Sequence, residues 1–276
     1  MAIREINSSL NIMNTRLSVS ESGSGESYLA LHDSPGSKQD LAELIKFIPE
    51  GKGKLVNLNR PGHDSSEEIL NPDKDPYIDT KLYAEVIDKK CDGSTWLLGY
   101  SFGAYTAFKI ASQFPNKVKG LYLISPYINP VNESISTVPN WIKNPIVSTF
   151  LGIVKPLTET DKITKRIKNI FYPTEVSQAY LEKWLPRFTR FESLLANYND
   201  INDMLNTYNE VYEKLSNIKM TVKVLFGRKD NFMDIENQSR HIKQCFPEAK
   251  ISVEEELGHS LPLTNPEKCA EFLGWK

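Results

Sequence analysis

Residues 96–104 read Trp96-Leu97-Leu98-Gly99-Tyr100-Ser101-Phe102-Gly103-Ala104. An apolar run, a G-x-S-x-G core and the first residues of a helical pattern follow one another without a spacer. The spacing predicts a strand that turns at once into a helix, with Ser101 on the turn and its hydroxyl projecting from the sheet edge. Glycines at 99 and 103 suit such a turn, because a Cβ at either position would strike the neighbouring strand or helix. Ser101 also stands at a helix N-terminus, where the backbone dipole favours developing negative charge. Five residues alone are a weak signal. The surroundings decide how to read them.

Moving outward, residues 1–127 alternate short apolar runs with helical stretches. Tyr28-Leu29-Ala30-Leu31 ends in the loop-forming His32-Asp33-Ser34-Pro35-Gly36, and Leu55-Val56-Asn57-Leu58 is stopped by Arg60-Pro61-Gly62. Lys38–Phe47 has apolar residues at helical spacing, as has Gly103–Phe114, and Leu121–Ile124 ends in Ser125-Pro126. Continuous apolar strands separated by helices predict a parallel sheet covered on both faces. Residues 128–215 change texture, with proline punctuation and aromatic residues at helical spacing, and predict short helices without strands. Residues 216–276 return to the first pattern, with strands over Met220–Phe226 and Lys250–Glu254 and helices over Ile235–Cys245 and Pro266–Phe272. A βα layer that is broken and then resumed predicts an insertion, not two tandem domains.

Two further residues belong with Ser101. Asp230 closes the G-x-x-D loop after the strand Val222–Phe226, and His259 ends Glu256-Leu257-Gly258-His259 after the next strand. Both loops therefore fall at the sheet edge that presents Ser101, in the order serine, acid, histidine. As a cap for the helix near Ile235, Asp234 is better placed than Asp230. The strand ending at Ser125-Pro126 supplies no carboxylate at the same edge.

On these residues the chain resembles the α/β-hydrolase fold superfamily, of the serine esterase, lipase and C–C hydrolase type. The likeness covers most of residues 15–127 and 216–276. His32-Asp33-Ser34-Pro35-Gly36-Ser37 resembles the family's loop after the third strand, and Asn59–Ser66 the loop after the fourth. The resemblance implies a core of residues 1–127 and 216–276, with a mostly parallel sheet and an inserted helical cap at 128–215. It implies Ser101 as nucleophile, His259 as general base and then acid, and Asp230 as the residue that orients the imidazole. It further implies an oxyanion hole made by the backbone N–H groups of Ser34 and Phe102, such donors being worth about 3–4 kcal/mol each. Asp33 departs from the pattern, since the family often has glycine there, and so does Ala104. His32 and His63 are expected to brace loops and His241 to be solvated. Among the cap aromatics, Trp141, Phe150, Phe171, Trp184 and Phe188 are candidates to line the substrate pocket.

Composition bounds the rest. The 276 residues carry 33 Lys+Arg against 35 Asp+Glu, a net charge of −2, which argues against a nucleic-acid binder. No run of 18 apolar residues predicts a membrane span. The first residues lack a continuous apolar stretch, so no signal peptide is expected. Cys91, Cys245 and Cys269 are odd in number and far apart, and are read as reduced thiols of a cytoplasmic protein. No phosphate-loop, dinucleotide or metal-ligand motif occurs, so no cofactor or metal is expected. The expected partner is a small-molecule substrate with an apolar moiety; the oligomeric state stays open. A carboxylic ester is the first substrate class and a thioester the next. Cleavage of a C–C bond in an activated ketone, and ligand binding or signalling with little turnover, are the alternatives.

Overall fold

The computed structural model describes residues 5–129 and 160–276. Strands run over Ile6–Ile12 (β1), Thr15–Ser24 (β2), Glu26–Leu31 (β3), Gly53–Leu58 (β4), Thr95–Tyr100 (β5), Val118–Ile124 (β6), Thr221–Gly227 (β7) and Lys250–Glu254 (β8). They form one sheet in the order β1-β2-β4-β3-β5-β6-β7-β8. β2 is antiparallel to both its neighbours, and every other pairing is parallel. Helices cover Ile78–Lys90 (α1), Gly103–Gln113 (α2), 160–171 (α3), Gln178–Phe188 (α4), Phe191–Leu215 (α5), Ile235–Cys245 (α6), Leu261–Thr264 (α7) and Pro266–Leu273 (α8). This is the α/β-hydrolase fold. Between β6 and β7 the described residues 160–215 contain helices and no strand.

The central strands are apolar on both sides because both faces are covered. Leu29, Leu31 and Leu97 pack in one layer with Leu82 and Val86 of α1, Phe108 of α2, Leu215 of α5 and Ile242 of α6. Their alternates Tyr28, Ala30, Leu98 and Tyr100 pack in the other with Leu41, Leu44, Ala270 and Leu273. Burying one such leucine contributes about 2 kcal/mol. Lys38–Phe47 is wound as a tighter 3₁₀ helix, and Ser37 and Asp40 cap its start reciprocally. The hairpin β1–β2 is not marked by any apolar run, because β1 is an edge strand with most of its residues exposed. The three cysteines are buried free thiols, and burial pushes Cys91 up to about 11 and Cys245 up to about 12. They are poor nucleophiles at neutral pH.

The parallel register brings the strand ends level. Tyr100 pairs with Ile124, Ile124 with Leu225, and Gly227 with Glu254. The loops that follow β5, β7 and β8 therefore emerge side by side. At the β5–α2 turn the chain comes very close to β3. A Cβ on Gly103 would overlap the carbonyl oxygen of Leu31, and one on Gly99 would lie 2.6 Å from the Cα of Ala104. Gly103→Ala is expected to destabilise the protein by about 3 kcal/mol, because the obstacle is backbone and cannot rotate away. Urea denaturation followed by circular dichroism checks this.

Candidate active site

Ser101 takes a left-handed conformation with φ of 50°, uncommon for a residue with a side chain. Its N–H donates to the Ile124 carbonyl at 3.0 Å, and its carbonyl accepts from the N–H groups of Ala104 and Tyr127. These bonds hold the turn. His259 lies between Ser101 and Asp230, with Nε2 3.0 Å from Ser101 Oγ and Nδ1 2.7 Å from Asp230 Oδ2. An ionised carboxylate only accepts, so the ring proton belongs on Nδ1 and Nε2 is left to accept from the serine hydroxyl. The other Asp230 oxygen, Oδ1, accepts from the N–H groups of Phe232 (2.7 Å) and Met233 (3.0 Å). Ser125 Oγ–H donates to the His259 carbonyl at 2.8 Å, tying the histidine loop to the end of β6. The sequence order thus becomes one hydrogen-bonded chain, and the side chains of Asp230 and His259 are fully buried.

Burial opposes charge on the imidazole, but the adjacent Asp230 carboxylate outweighs it. With a further contribution from Asp33, the His259 pKa is raised above its ordinary value. Phe232 packs edge-on against the ring at 5.0 Å, and the Arg166 guanidinium lies over Phe232 at 4.8 Å.

The structure brings Ser34 and Phe102 to the same edge, with one complication. The Phe102 N–H already donates to Asp33 Oδ1, at 3.3 Å. A carboxylate thus stands against one of the two expected anion-binding groups, a direct consequence of aspartate where the family often has glycine. Ser34 Oγ–H donates to Asn197 Oδ1 of α5 at 3.1 Å. His32 and His63 brace this region, His32 through the Asp33 carbonyl (2.6 Å) and His63 through Asp200 (2.8 Å). His241 differs from expectation. It is half-buried and bonded to the Tyr208 hydroxyl at 3.0 Å, because α6 packs on α5.

A cavity of about 90 Å³ adjoins Asp33, and its walls include Tyr100, Arg166, Ile167, Phe171 and Phe188. Phe171 and Phe188, two of the aromatic candidates, line this cavity, and Ser101, Asp230 and His259 do not. Trp184 does not line it either. It stacks behind Phe188 with ring centres 6.3 Å apart and borders a separate hollow near Gly36 and Gly62. Trp141 and Phe150 lie outside the described residues. The sequence reading missed Arg166, Asn197 and Phe232. The stripe Ile163, Ile167, Ile170 at helical spacing was the available signal for α3. The larger cleft, about 1290 Å³, runs between α5 and residues 61–79, and none of Ser101, Asp230 or His259 lines it.

The family model described as alpha/beta hydrolase fold matches residues 53–266, and the chain belongs to that family. Monoacylglycerol lipase ABHD6 of Bos taurus is 20% identical over 258 residues, covering 91% of this chain and 75% of the relative. The 2-hydroxy-6-oxononadienedioate/2-hydroxy-6-oxononatrienedioate hydrolase 1 of Pseudomonas putida is 20% identical over 226 residues, covering 78% and 75%. Among solved structures, the Cif epoxide hydrolase from Acinetobacter nosocomialis superposes with a TM-score of 0.77 at 13% identity, over 98% of this chain and 88% of that one. No described helix is long and apolar enough to cross a membrane.

Because the Asp33 charge helps to hold the His259 proton, Asp33→Asn is expected to lower the imidazole pKa. An NMR titration of the His259 ring in wild type and variant reads the shift directly. An unchanged or raised value would contradict the electrostatic role given to Asp33.

Proposed function

We propose that the protein is a serine hydrolase that cleaves a carboxylic ester, or next a thioester, of a mainly apolar small molecule. One observation carries this reading: His259 bridges Ser101 at 3.0 Å and Asp230 at 2.7 Å inside a buried site. In this reading Ser101 attacks the substrate carbonyl while Nε2 of His259 takes the hydroxyl proton. Asp230 holds the ring in the productive tautomer and stabilises its charged form. The carbonyl oxygen becomes an oxyanion bound by the N–H groups of Ser34 and Phe102, which requires the Asp33 carboxylate to withdraw from Phe102. His259 then gives its proton to the leaving oxygen or sulfur. Water enters, is deprotonated by His259, and attacks the acyl-enzyme to release the acid and restore Ser101. The small apolar cavity beside Asp33 suits the acyl or alcohol chain, with residues 128–215 acting as the cap that selects it. The working compartment in this reading is the cytoplasm.

A second reading is favoured by one contact. Asp33, which borders the cavity, also sits on the Phe102 N–H and weakens the anion site while the cavity stays open, which is the arrangement of a ligand-binding or signalling protein with little turnover. The C–C hydrolase relative supports cleavage of an activated ketone as a variant of the same chemistry, since the serine, histidine and aspartate roles are unchanged.

A series of p-nitrophenyl esters from acetate to decanoate, assayed with wild type and Ser101→Ala, separates these readings. Ser101→Ala is expected to lower kcat/KM by at least about 10³-fold and to abolish labelling by a fluorophosphonate. Absence of both turnover and labelling in the folded wild type would favour the binding protein. Asp230→Asn is expected to lower kcat by about 10⁴-fold with little change in KM, because the imidazole then loses its tautomer and not its place. Steady-state kinetics on the best ester of the series checks it.

A further inference from the structure

We propose that Asp200 of α5 is a positioning residue for the reaction: through Arg60 it aims the Ser34 N–H at the developing oxyanion. This rests on the reading of Ser34 and Phe102 as the anion site.

The chain of contacts starts on α5. Asp200 takes both ends of the Arg60 guanidinium, Nη1 at 2.9 Å and Nη2 at 2.7 Å. His63 Nε2–H donates to the same carboxylate at 2.8 Å. The Arg60 side chain is 3% exposed and that of Asp200 17%. Burial opposes the charge on Asp200, but Arg60 and then His63 outweigh it and hold the carboxyl far below the usual range, so it is a fixed anion.

Held this way, Arg60 spends its other donors on the oxyanion loop. Nε donates to the His32 carbonyl and Nη2 to the Asp33 carbonyl, each at 3.1 Å. The Arg60 backbone N–H donates to His32 Nε2 at 2.9 Å. That leaves the His32 proton on Nδ1, which donates to the same Asp33 carbonyl at 2.6 Å. Burial and the neighbouring Arg60 charge keep His32 neutral, consistent with one donating and one accepting nitrogen.

The Asp33 carbonyl belongs to the peptide group whose N–H is that of Ser34. The bond between residues 33 and 34 is trans, so its C=O and N–H point in opposite directions. Two donors pulling on the carbonyl from one side therefore fix the direction of the N–H on the other. They also polarise the peptide and make it a stronger donor. No described residue accepts the Ser34 N–H, which leaves it available for substrate. The Arg60 guanidinium also lies 5.1 Å over the Phe102 ring, so the same cation bears on both anion-binding residues. Asn197, one turn before Asp200 on α5, takes the Ser34 hydroxyl and holds the loop from the other end.

The test uses the full chain as wild type, Asp200→Asn and Arg60→Lys. Kinetics on p-nitrophenyl butyrate and the rate of fluorophosphonate labelling are measured beside circular dichroism and urea stability. Asp200→Asn is expected to lower kcat by about 10–100-fold, less than outright loss of a donor, and to slow labelling by a similar factor. KM should stay within about threefold, and the acid limb set by His259 should not move, since Asp200 does not touch the imidazole. Asp200→Glu, which keeps the carboxylate, should recover part of the loss. If Asp200→Asn does not fold, Arg60→Lys carries the same expectation, because it keeps the charge and loses the fork. A folded Asp200→Asn with kcat and labelling rate within twofold of wild type, or with a change in KM alone, would overturn the positioning role. A folded wild type inert to both ester and probe would instead overturn the hydrolase reading and this role with it.

Discussion

At Gly103 the first turn of α2 presses on the carbonyl oxygens of Leu31 and His32, a separation that no side chain would permit. Much of the site follows from this close approach. It brings the turn at Ser101 against the loop that leaves β3, and so brings the Phe102 N–H to the neighbourhood of Asp33 and Ser34. The left-handed backbone at Ser101 is sustained by the same packing, because the turn is bonded to β6 and to Tyr127 on either side. Strain at one residue persists only where its surroundings over-determine it.

The second ingredient is the parallel register. Strands β5, β6, β7 and β8 end nearly level, so the serine emerges at one rim with a carboxylate and an imidazole that lie more than a hundred residues further along the chain. Each is then fixed locally: Asp230 by two backbone N–H groups, the histidine loop by Ser125 and by a bond from the Lys229 N–H to the Leu257 carbonyl at 2.8 Å. Burial makes the remaining interactions count. In a dry site the Asp230 carboxylate stabilises a charged imidazole far more than it would in water.

Helix α5 is seated on the core by two buried cations, Arg60 and Lys109, each paired with partly buried carboxylates. Besides the pairing of Asp200 with Arg60, Asp203 and Asp79 both bind Lys109 of α2, at 2.7 and 2.8 Å. Burial and the nearby Asp79 push Asp203 up to about 7 even with Lys109 beside it. Such clusters add little net stability over apolar packing, but losing one partner is costly. Their effect here is to specify one seating of α5, and that seating decides where Asn197 meets Ser34 and where Asp200 meets Arg60.

The β5–turn–α2 unit, the parallel layer and the order of Ser101, Asp230 and His259 were legible in the sequence, because each rests on local patterns: continuous apolar runs, flanking glycines and loops at strand ends. The hairpin β1–β2 was not, since edge strands facing solvent need no apolar run. Nor was the placement of Trp184 behind Phe188, or that of Asp33 on the Phe102 N–H. Aromatic spacing on a helix says which residues share a face and not what that face meets. Arg60, His63 and Asp200 are ordinary polar residues in the sequence, and only the tertiary structure makes them one buried network. The sequence by itself determined the apolar elements of the layer, their order and the chemical types at the rim. The tertiary structure alone decided which polar groups, distant along the chain, share a desolvated space. That follows from how long-range contacts are selected: by shape and burial in three dimensions, with no trace in local periodicity.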